Sequence, residues 1–258
     1  MNATAANGVP AMPRSRVFNA YLQETRSEVV RYLRNPGFMV PMLAFSTVFY
    51  VMFGIVLNHG NAEAQRYLLA SYAVFGVMGP GLFGFGVSLG AERENGLLTL
   101  KRALPMPPLA YLLGKMAMAM LMAAIMAALL LSLGLFVAHV PLSVAQVAAM
   151  FATGVFGVLP FCALGLLVGT LVKGQGAPGM VNLVYLPMAF LSGLWLPLAM
   201  LPKVLGGIAP VWPSYHLNAL MQAAAGMRHG GVAMHLLALA GFTAAFLLLA
   251  ARRLRRHG

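Results

Sequence analysis

The sequence predicts an all-α polytopic membrane protein with six transmembrane helices, for three reasons. Of the 258 residues, 60% are hydrophobic and only 9% are charged. The mean hydropathy is +0.83. A soluble domain carries roughly a quarter charged residues, so this chain has too few to cover a surface that faces water. The charges are also separated by long charge-free stretches, and each stretch can hold the roughly 20 residues that cross a hydrocarbon core.

The charge-free stretches set the positions of the spans. No charged residue lies between Arg34 and Glu63. None lies in 116–172, a stretch long enough for two crossings, and a polar turn at 139–143 divides it. The predicted spans are 36–57, 67–91, 116–137, 145–172, 177–198 and 232–251.

Two further segments complete the predicted fold. The first, 14–35, has apolar residues at helical spacing and predicts an amphipathic helix in the inner membrane interface; an ordinary solvated helix is the alternative. The second, 198–228, is apolar but broken by prolines and glycines, and predicts short re-entrant or interfacial helices between spans five and six. The predicted domains are a disordered tail at 1–13, the interfacial helix at 14–35, the six-helix membrane domain at 36–251 and a basic cytoplasmic tail at 252–258.

The positive charge predicts the orientation. The net charge is +12, from 17 Lys and Arg against 5 Glu and no Asp. In the six-span arrangement only Arg66, Lys203 and Arg228 fall on the outer side. Such a bias places both termini in the cytoplasm, with the protein in a prokaryotic inner or plasma membrane. The positive charges form no continuous face, so nucleic-acid binding is not expected.

Residues for catalysis, metal binding or ATP hydrolysis are sparse. The chain has no Asp, one Cys, no pair of histidines at a metal-ligand spacing and no P-loop. We therefore expect no catalytic, cofactor or metal site. Inside the assigned spans the one ionisable side chain is that of His235. An ion-driven carrier usually needs such groups within the membrane, so an external energy source is expected.

The segment after the second predicted span alternates between charged and apolar residues. Glu92, Arg93 and Glu94 leave the span directly, Asn95-Gly96 interrupts the helix, and prolines follow before Lys115. A short helix held between two spans suits docking into a groove on a soluble partner; a simple connecting loop is the alternative.

At this point the chain resembles the membrane permease subunit of ABC-2 type transporters, a group that exports drugs, polysaccharides or lipids. The resemblance rests on four motifs in order. These are Arg34-Asn35-Pro36; Glu92 to Leu97 with Pro105 and Leu113-Gly114-Lys115; Phe190 to Gly193 with Leu196-Pro197; and Ile208 to Pro210 before Pro213 to Leu217.

The resemblance implies a dimer of permease subunits, homomeric or paralogous, that works with a separate ATP-binding-cassette ATPase. ATP and Mg²⁺ would bind that ATPase, and the permease would carry no cofactor. The residues implied at the ATPase contact are Glu92, Arg93, Glu94, Gly96, Lys101 and Arg102. Those implied on the interfacial helix are Arg26, Arg31 and Arg34. Many relatives carry Thr-Leu-Glu where this chain has Leu98-Thr99-Leu100, a departure within the docking segment.

The implied function is ATP-driven export of a hydrophobic or amphipathic substrate through a pathway between two copies. Candidate lining residues are Phe45, Phe49, Met188, Phe190 and Trp195; packing inside the bundle or facing lipid is the alternative role. A membrane-embedded lipid-modifying enzyme would need a polar cluster inside the spans. A non-transporting scaffold or sensor subunit would keep the docking segment but show no substrate-dependent turnover.

Overall fold

The computed structural model describes residues 13–97, 100, 108–172, 174–228 and 230–257, and this part of the chain folds as α-helices without a strand. The predicted all-α class is confirmed for these residues. The helices are α1 Arg14–Leu33, α2 Pro36–Phe49, α3 Ala62–Glu94, α4 Pro108–Ser132, α5 Val144–Gly157, α6 Leu159–Leu171, α7 Ala177–Leu191, α8 Lys203–Ile208, α9 Pro213–Ala224 and α10 Val232–His257. Short π-helical segments, Tyr50–Val56 and Leu133–Val137, extend α2 and α4.

Within the described residues, 5 helical segments are long and apolar enough to cross a membrane. They are Met39–Val56, Ala62–Glu94, Leu109–Val137, Val144–Leu171 and Val232–Arg253, and they coincide with five of the six predicted spans. The third begins earlier than predicted, since Lys115 lies within α4 rather than before it. The predicted span at 177–198 contains α7, whose 15 residues reach roughly 22 Å, less than the roughly 30 Å hydrocarbon core.

Helix α3 is the axis of the bundle, with 94% of its most apolar stretch buried. Small residues allow α6 to approach it closely. A Cβ added at Gly165 would lie 2.6 Å from the Gly81 carbonyl oxygen, and one at Gly169 would lie 3.0 Å from that of Gly86. The two helices therefore pack backbone against backbone, as small residues allow in membrane proteins.

The bundle has two ends, which we name after the glutamates at the ends of α3. At the Glu92 end, Arg93 and Arg253 both donate to the Thr170 carbonyl oxygen, at 2.9 and 3.2 Å. These arginines place the ends of α3, α6 and α10 together, and they neutralise the negative C-terminus of α6. At the Glu63 end, Tyr67 donates its hydroxyl proton to the carbonyl oxygen of Gly193, at 2.9 Å.

Segment 177–193 follows α3 from one end towards the other. Ala177 lies beside Gly90 near the Glu92 end. Tyr185 donates to the carbonyl oxygen of Phe75, 2.9 Å away, near the middle of α3. Since Gly193 is bound by Tyr67, the segment runs antiparallel to α3 over most of its length.

Helix α1 packs on the bundle with a face that differs from part of its apolar stripe, and the predicted interfacial position allows that part to stay exposed. Phe18 and Leu22, from the predicted apolar stripe, are 69% and 54% exposed. Glu28 and Tyr32 are buried instead, on the side of α1 that packs along α4. A charged side chain on the packed face is costly unless it is paired. Glu28 therefore requires a partner inside the bundle.

The segment between α7 and α10 contains short helices, as the prolines and glycines predict. Helix α8 is 6 residues long and flanked by two 3₁₀ turns. Helix α9 lies inside the bundle against α3, α5 and α10, with Ser214, His216 and Asn218 buried.

Candidate functional site

A buried lysine joins three helices at the Glu92 end. The Lys115 side chain, on α4, has no exposed surface. Its Nζ lies 2.9 Å from Oε1 of Glu92, 3.1 Å from Oε2 of Glu28 and 2.7 Å from Oγ of Ser88. An ammonium group has three protons to donate, so these three partners satisfy it.

A second cation completes the cluster, which we call the ionic network: Glu28, Arg31, Glu92 and Lys115. Two Arg31 nitrogens bind both carboxylates, Nη1 at 2.5 Å from Glu92 and Nη2 at 2.5 Å from Glu28. Tyr111 adds a hydrogen bond from its hydroxyl to Oε2 of Glu92. With two carboxylates and two cations, the network is neutral overall.

The spacing of these residues explains how three helices supply them. Side chains three or four positions apart lie on one helix face. Helix α1 contributes Glu28 and Arg31, α3 contributes Ser88 and Glu92, and α4 contributes Tyr111 and Lys115.

The approach of α1 to α4 depends on a glycine. A Cβ at Gly114 would lie 3.0 Å from Cγ of Glu24 and 3.3 Å from the Thr25 backbone nitrogen. A residue with a side chain would press on α1 at the turn before Glu28, and the two helices would have to separate by a few tenths of an ångström.

Burial and charge act in opposite directions on Arg31, the one partly exposed member. Burial lowers the pKa of its guanidinium, but the negative charges of Glu28 and Glu92 outweigh that effect and raise the pKa above its ordinary value. Arg31 therefore stays charged, and it closes the network on the side of a cavity of about 310 Å³. Removing one partner from such a buried network costs about 3–5 kcal/mol, so α1, α3 and α4 behave as one unit.

The residues predicted at an ATPase contact lie in different environments. Glu92 is buried in the network, and Arg93 caps α6. Glu94 is exposed at the end of α3. Gly96 is exposed with φ +68°, a backbone conformation that favours glycine. Lys101 and Arg102 lie outside the described residues.

On the predicted interfacial helix, only Arg31 enters the network. Arg26 and Arg34 are exposed on the surface of α1. Their contact with a partner stays a prediction.

Four of the five predicted pathway residues form one aromatic cluster. Phe45 contacts Phe49, with ring centroids 4.6 Å apart, and Phe49 contacts Trp195 at 5.9 Å. Trp195 in turn meets Phe190 at 6.4 Å. Phe45 is 40% exposed, whereas Met188 is fully buried and lies in the core rather than on an accessible surface in this conformation.

Sequence reasoning missed the partners of Glu92. Lys115 was placed before the third span, and Glu28 received no role. Helices α3 and α4 extend past the predicted spans, so Glu92 and Lys115 lie outside the predicted bounds but within helical segments long enough to cross a membrane. The available signal was the small number of carboxylates, five in 258 residues. When carboxylates are this rare, each one is a candidate for a specific contact.

The sequence analysis also did not predict a contact between two histidines. His216 and His235 are 19 residues apart, and their Nδ1 atoms lie 2.9 Å from each other. His216 Nε2 is 2.9 Å from the carbonyl oxygen of Pro210, so this nitrogen carries the proton. His235 must then donate from Nδ1, which leaves its buried Nε2 without a partner among the described residues.

Similarity to known proteins identifies the family of this chain. Residues 20–225 match the family described as ABC-2 type transporter. The chain is also similar to a protein of Bacillus subtilis (strain 168) named putative transport permease YvfS. The two are 30% identical over 205 residues, which cover 78% of this chain and 83% of the relative. The match includes α1, α3 and α4, the helices that build the ionic network. The chain therefore belongs to the ABC-2 type transporter family.

Proposed function

We propose that this chain is the membrane-spanning permease subunit of an ATP-binding-cassette transporter, and that it forms the pathway for ATP-driven export of a hydrophobic or amphipathic substrate. ATP and Mg²⁺ would bind a separate ATPase chain, with no cofactor and no catalytic residue on the permease. Membership of the ABC-2 type transporter family supports the permease role. The observation that carries the coupling to an ATPase is the ionic network.

The ionic network supports this proposal because it links three helices, α1, α3 and α4, that an ATPase would have to move together. It joins α1 to α3 and α4 through four charged side chains. Glu94 and Gly96, exposed beside it, are the surface we assign to the ATPase contact. A push on that surface would then move α1, α3 and α4 as a unit instead of bending one loop.

The topology we propose has six crossings, with α7 and the residues after it as the fifth. Segment 177–193 runs along α3 between the two ends, which supports a crossing although α7 alone is short. The Glu92 end would face the cytoplasm, because most of the positive charge lies there. Helices α8 and α9 would then be interfacial or re-entrant at the Glu63 end.

We infer that a second copy covers α2, and that the pathway lies between the two. Only 17% of the Met39–Val56 stretch is buried inside the chain. Phe45, Val48 and Met52 are exposed along it, next to the aromatic cluster. A pathway lined by this surface would accept apolar or amphipathic molecules.

The test is co-purification from the native host with three variants. Tagged wild-type chain should recover an ATPase with a Walker A motif. Glu94→Ala should lose it, because Glu94 is exposed at the proposed contact. Glu92→Gln should keep the ATPase but lose substrate-stimulated ATP hydrolysis, because the contact survives and the network does not. Lys203→Gln, an exposed change at the opposite end, is the matched control and should behave as wild type.

Each outcome of that test has a distinct meaning. An ATPase that binds Glu94→Ala as tightly as wild type would place the contact elsewhere. Stimulated hydrolysis that survives Glu92→Gln would remove the network from the coupling. A well-folded chain that recovers no ATPase would overturn the proposed function.

A further inference from the structure

The Glu63 end contains a cavity of about 390 Å³ that lies apart from the ionic network. Rings of Phe53, Tyr67 and Trp195 line it, and Glu63 is the one charged side chain among its described lining residues. Small-molecule sites commonly measure about 300–1,000 Å³ and combine apolar walls with few polar groups. Size and lining therefore fit a ligand with an apolar body and one polar group.

The polar groups of this cavity favour a positive partner. The Glu63 carboxylate is exposed and has no ion pair within the described residues. Asn58 donates its side-chain Nδ2 to the Phe53 carbonyl oxygen, at 2.7 Å, which leaves the Asn58 amide oxygen as a further acceptor. Asn61 also lines the cavity, and its Oδ1 accepts from the backbone nitrogen of Ala64, which leaves its Nδ2 as a neutral donor. The one full charge is that of Glu63, so an ammonium or another cation suits the cavity better than an anion does.

Arg66 and Glu63 both line a neighbouring cavity, but no ion pair joins them among the described residues. Arg66 lies one turn along α3, but its guanidinium donates to the carbonyl oxygen of Pro141, and it is not among the residues that line the aromatic cavity. Glu63 is also the one carboxylate in the sequence between Glu28 and Glu92. A local negative charge in a chain of net charge +12 thus remains open to a ligand.

The aromatic lining continues into the protein. Trp195 contacts Phe49 and Phe75, with ring centroids 5.9 and 5.7 Å away. The cavity therefore shares Trp195 with the aromatic cluster that we assign to the pathway. Aromatic faces attract cations through their quadrupole and accommodate apolar groups at the same time.

We propose that this cavity binds a hydrophobic cation, an amphiphile with an ammonium or phosphonium centre, as the substrate of the transporter on the Glu63 side. Glu63 supplies the opposite charge, and Trp195 with Phe53 contacts the apolar body. The proposal rests on the proposed function, because it names the class of substrate for the same pathway.

The test uses two probes of the same shape and opposite charge, tetraphenylphosphonium and tetraphenylborate. Binding of each radiolabelled ion to the purified full-length chain is measured in uncharged detergent by equilibrium dialysis. Glu63→Gln should weaken tetraphenylphosphonium binding about five- to tenfold, and it should strengthen tetraphenylborate binding, because the repulsion between Glu63 and that anion is removed. Lys203→Gln, an exposed charge that is not among the lining residues, should change neither ion's affinity by more than about twofold.

A second pair of variants tests the aromatic contact. Trp195→Leu should weaken tetraphenylphosphonium binding about threefold to tenfold, whereas Trp195→Phe should keep most of it. Equal responses of both ions to Glu63→Gln, or no response, would overturn the cation proposal. If the ATPase co-purifies and is coupled but the cation does not bind, this inference alone fails. If the cation binds through Glu63 but no ATPase is recovered, the site stands and the proposed function fails.

Discussion

At one end of α3 the Glu92 carboxylate is buried and held by Lys115, Arg31 and Tyr111, whereas at the other end the Glu63 carboxylate is exposed and has no ion pair within the described residues. The two acids lie on the same helix and belong to the same small set of five carboxylates. Their difference comes from what the neighbouring helices bring to each end. Helices α1 and α4 bring charges and a hydroxyl to Glu92. The segments after α2 and α7 bring the rings of Phe53 and Trp195 to the cavity at Glu63.

The comparison separates two uses of a charge in an apolar chain. A buried charge must be compensated inside the protein, because desolvation costs several kcal/mol per ion. Such a charge therefore fastens helices together. An exposed charge beside an aromatic cavity costs little and remains free to attract a ligand. We accordingly expect mutations at the Glu92 end to affect stability and coupling, and mutations at the Glu63 end to affect binding.

The largest effect should follow from Lys115→Met. The change removes the buried cation that lies between Glu28 and Glu92, so the two buried carboxylates lose a positive charge that they share. We expect a loss of about 3–5 kcal/mol in stability, measured as a fall in the thermal unfolding midpoint of the purified chain in detergent.

A double variant provides the control for this prediction. Lys115→Met combined with Glu92→Gln leaves Glu28 paired with Arg31 and restores neutrality, so it should regain most of the lost stability. If the double variant unfolds at the same temperature as Lys115→Met, then charge balance is not what holds the network.

An intermediate effect is expected from Gly165→Ala, at the contact between α3 and α6 that lies between the two ends. The new Cβ would lie 2.6 Å from the Gly81 carbonyl oxygen and 2.8 Å from that of Leu82. Overpacking of this kind costs about 1–3 kcal/mol, and thermal unfolding should report it. Gly179→Ala, on α7 with nothing within 4 Å of the new Cβ, should be neutral or slightly stabilising. Equal unfolding temperatures for the two variants would argue against close packing at Gly165.

The positions of most helices could be predicted because charges are excluded from a hydrocarbon core unless they are paired. The charge-free stretches marked five membrane-length helices to within a few residues, except where pairing occurs. Helix α4 begins before Lys115, and α3 continues through Glu92, because each charge finds its partner inside the protein. A rule that treats every charge as a boundary cannot anticipate this.

The ionic network itself could not be predicted from local spacing. Lys115 lies 23 residues from Glu92 and 87 from Glu28, and nothing in the sequence pairs them before the helices are packed. The face of α1 that packs on α4 could not be predicted for the same reason, since Glu28 meets Lys115 only once the two helices are packed. The aromatic cluster was easier to predict, because Phe45 and Phe49 share one helix face.

The smallest effect, and the sharpest separation of the two ends, should come from salt. An increase from about 50 mM to about 500 mM shortens the screening length to a few ångströms, so tetraphenylphosphonium affinity at exposed Glu63 should fall about two- to threefold. The unfolding temperature of the wild-type chain should hardly change, because buried pairs such as Lys115 with Glu92 are screened much less. Both quantities can be followed in the same detergent. A salt-dependent unfolding temperature together with a salt-independent affinity would reverse the assignment, and Glu92 would then be the charge that solvent reaches.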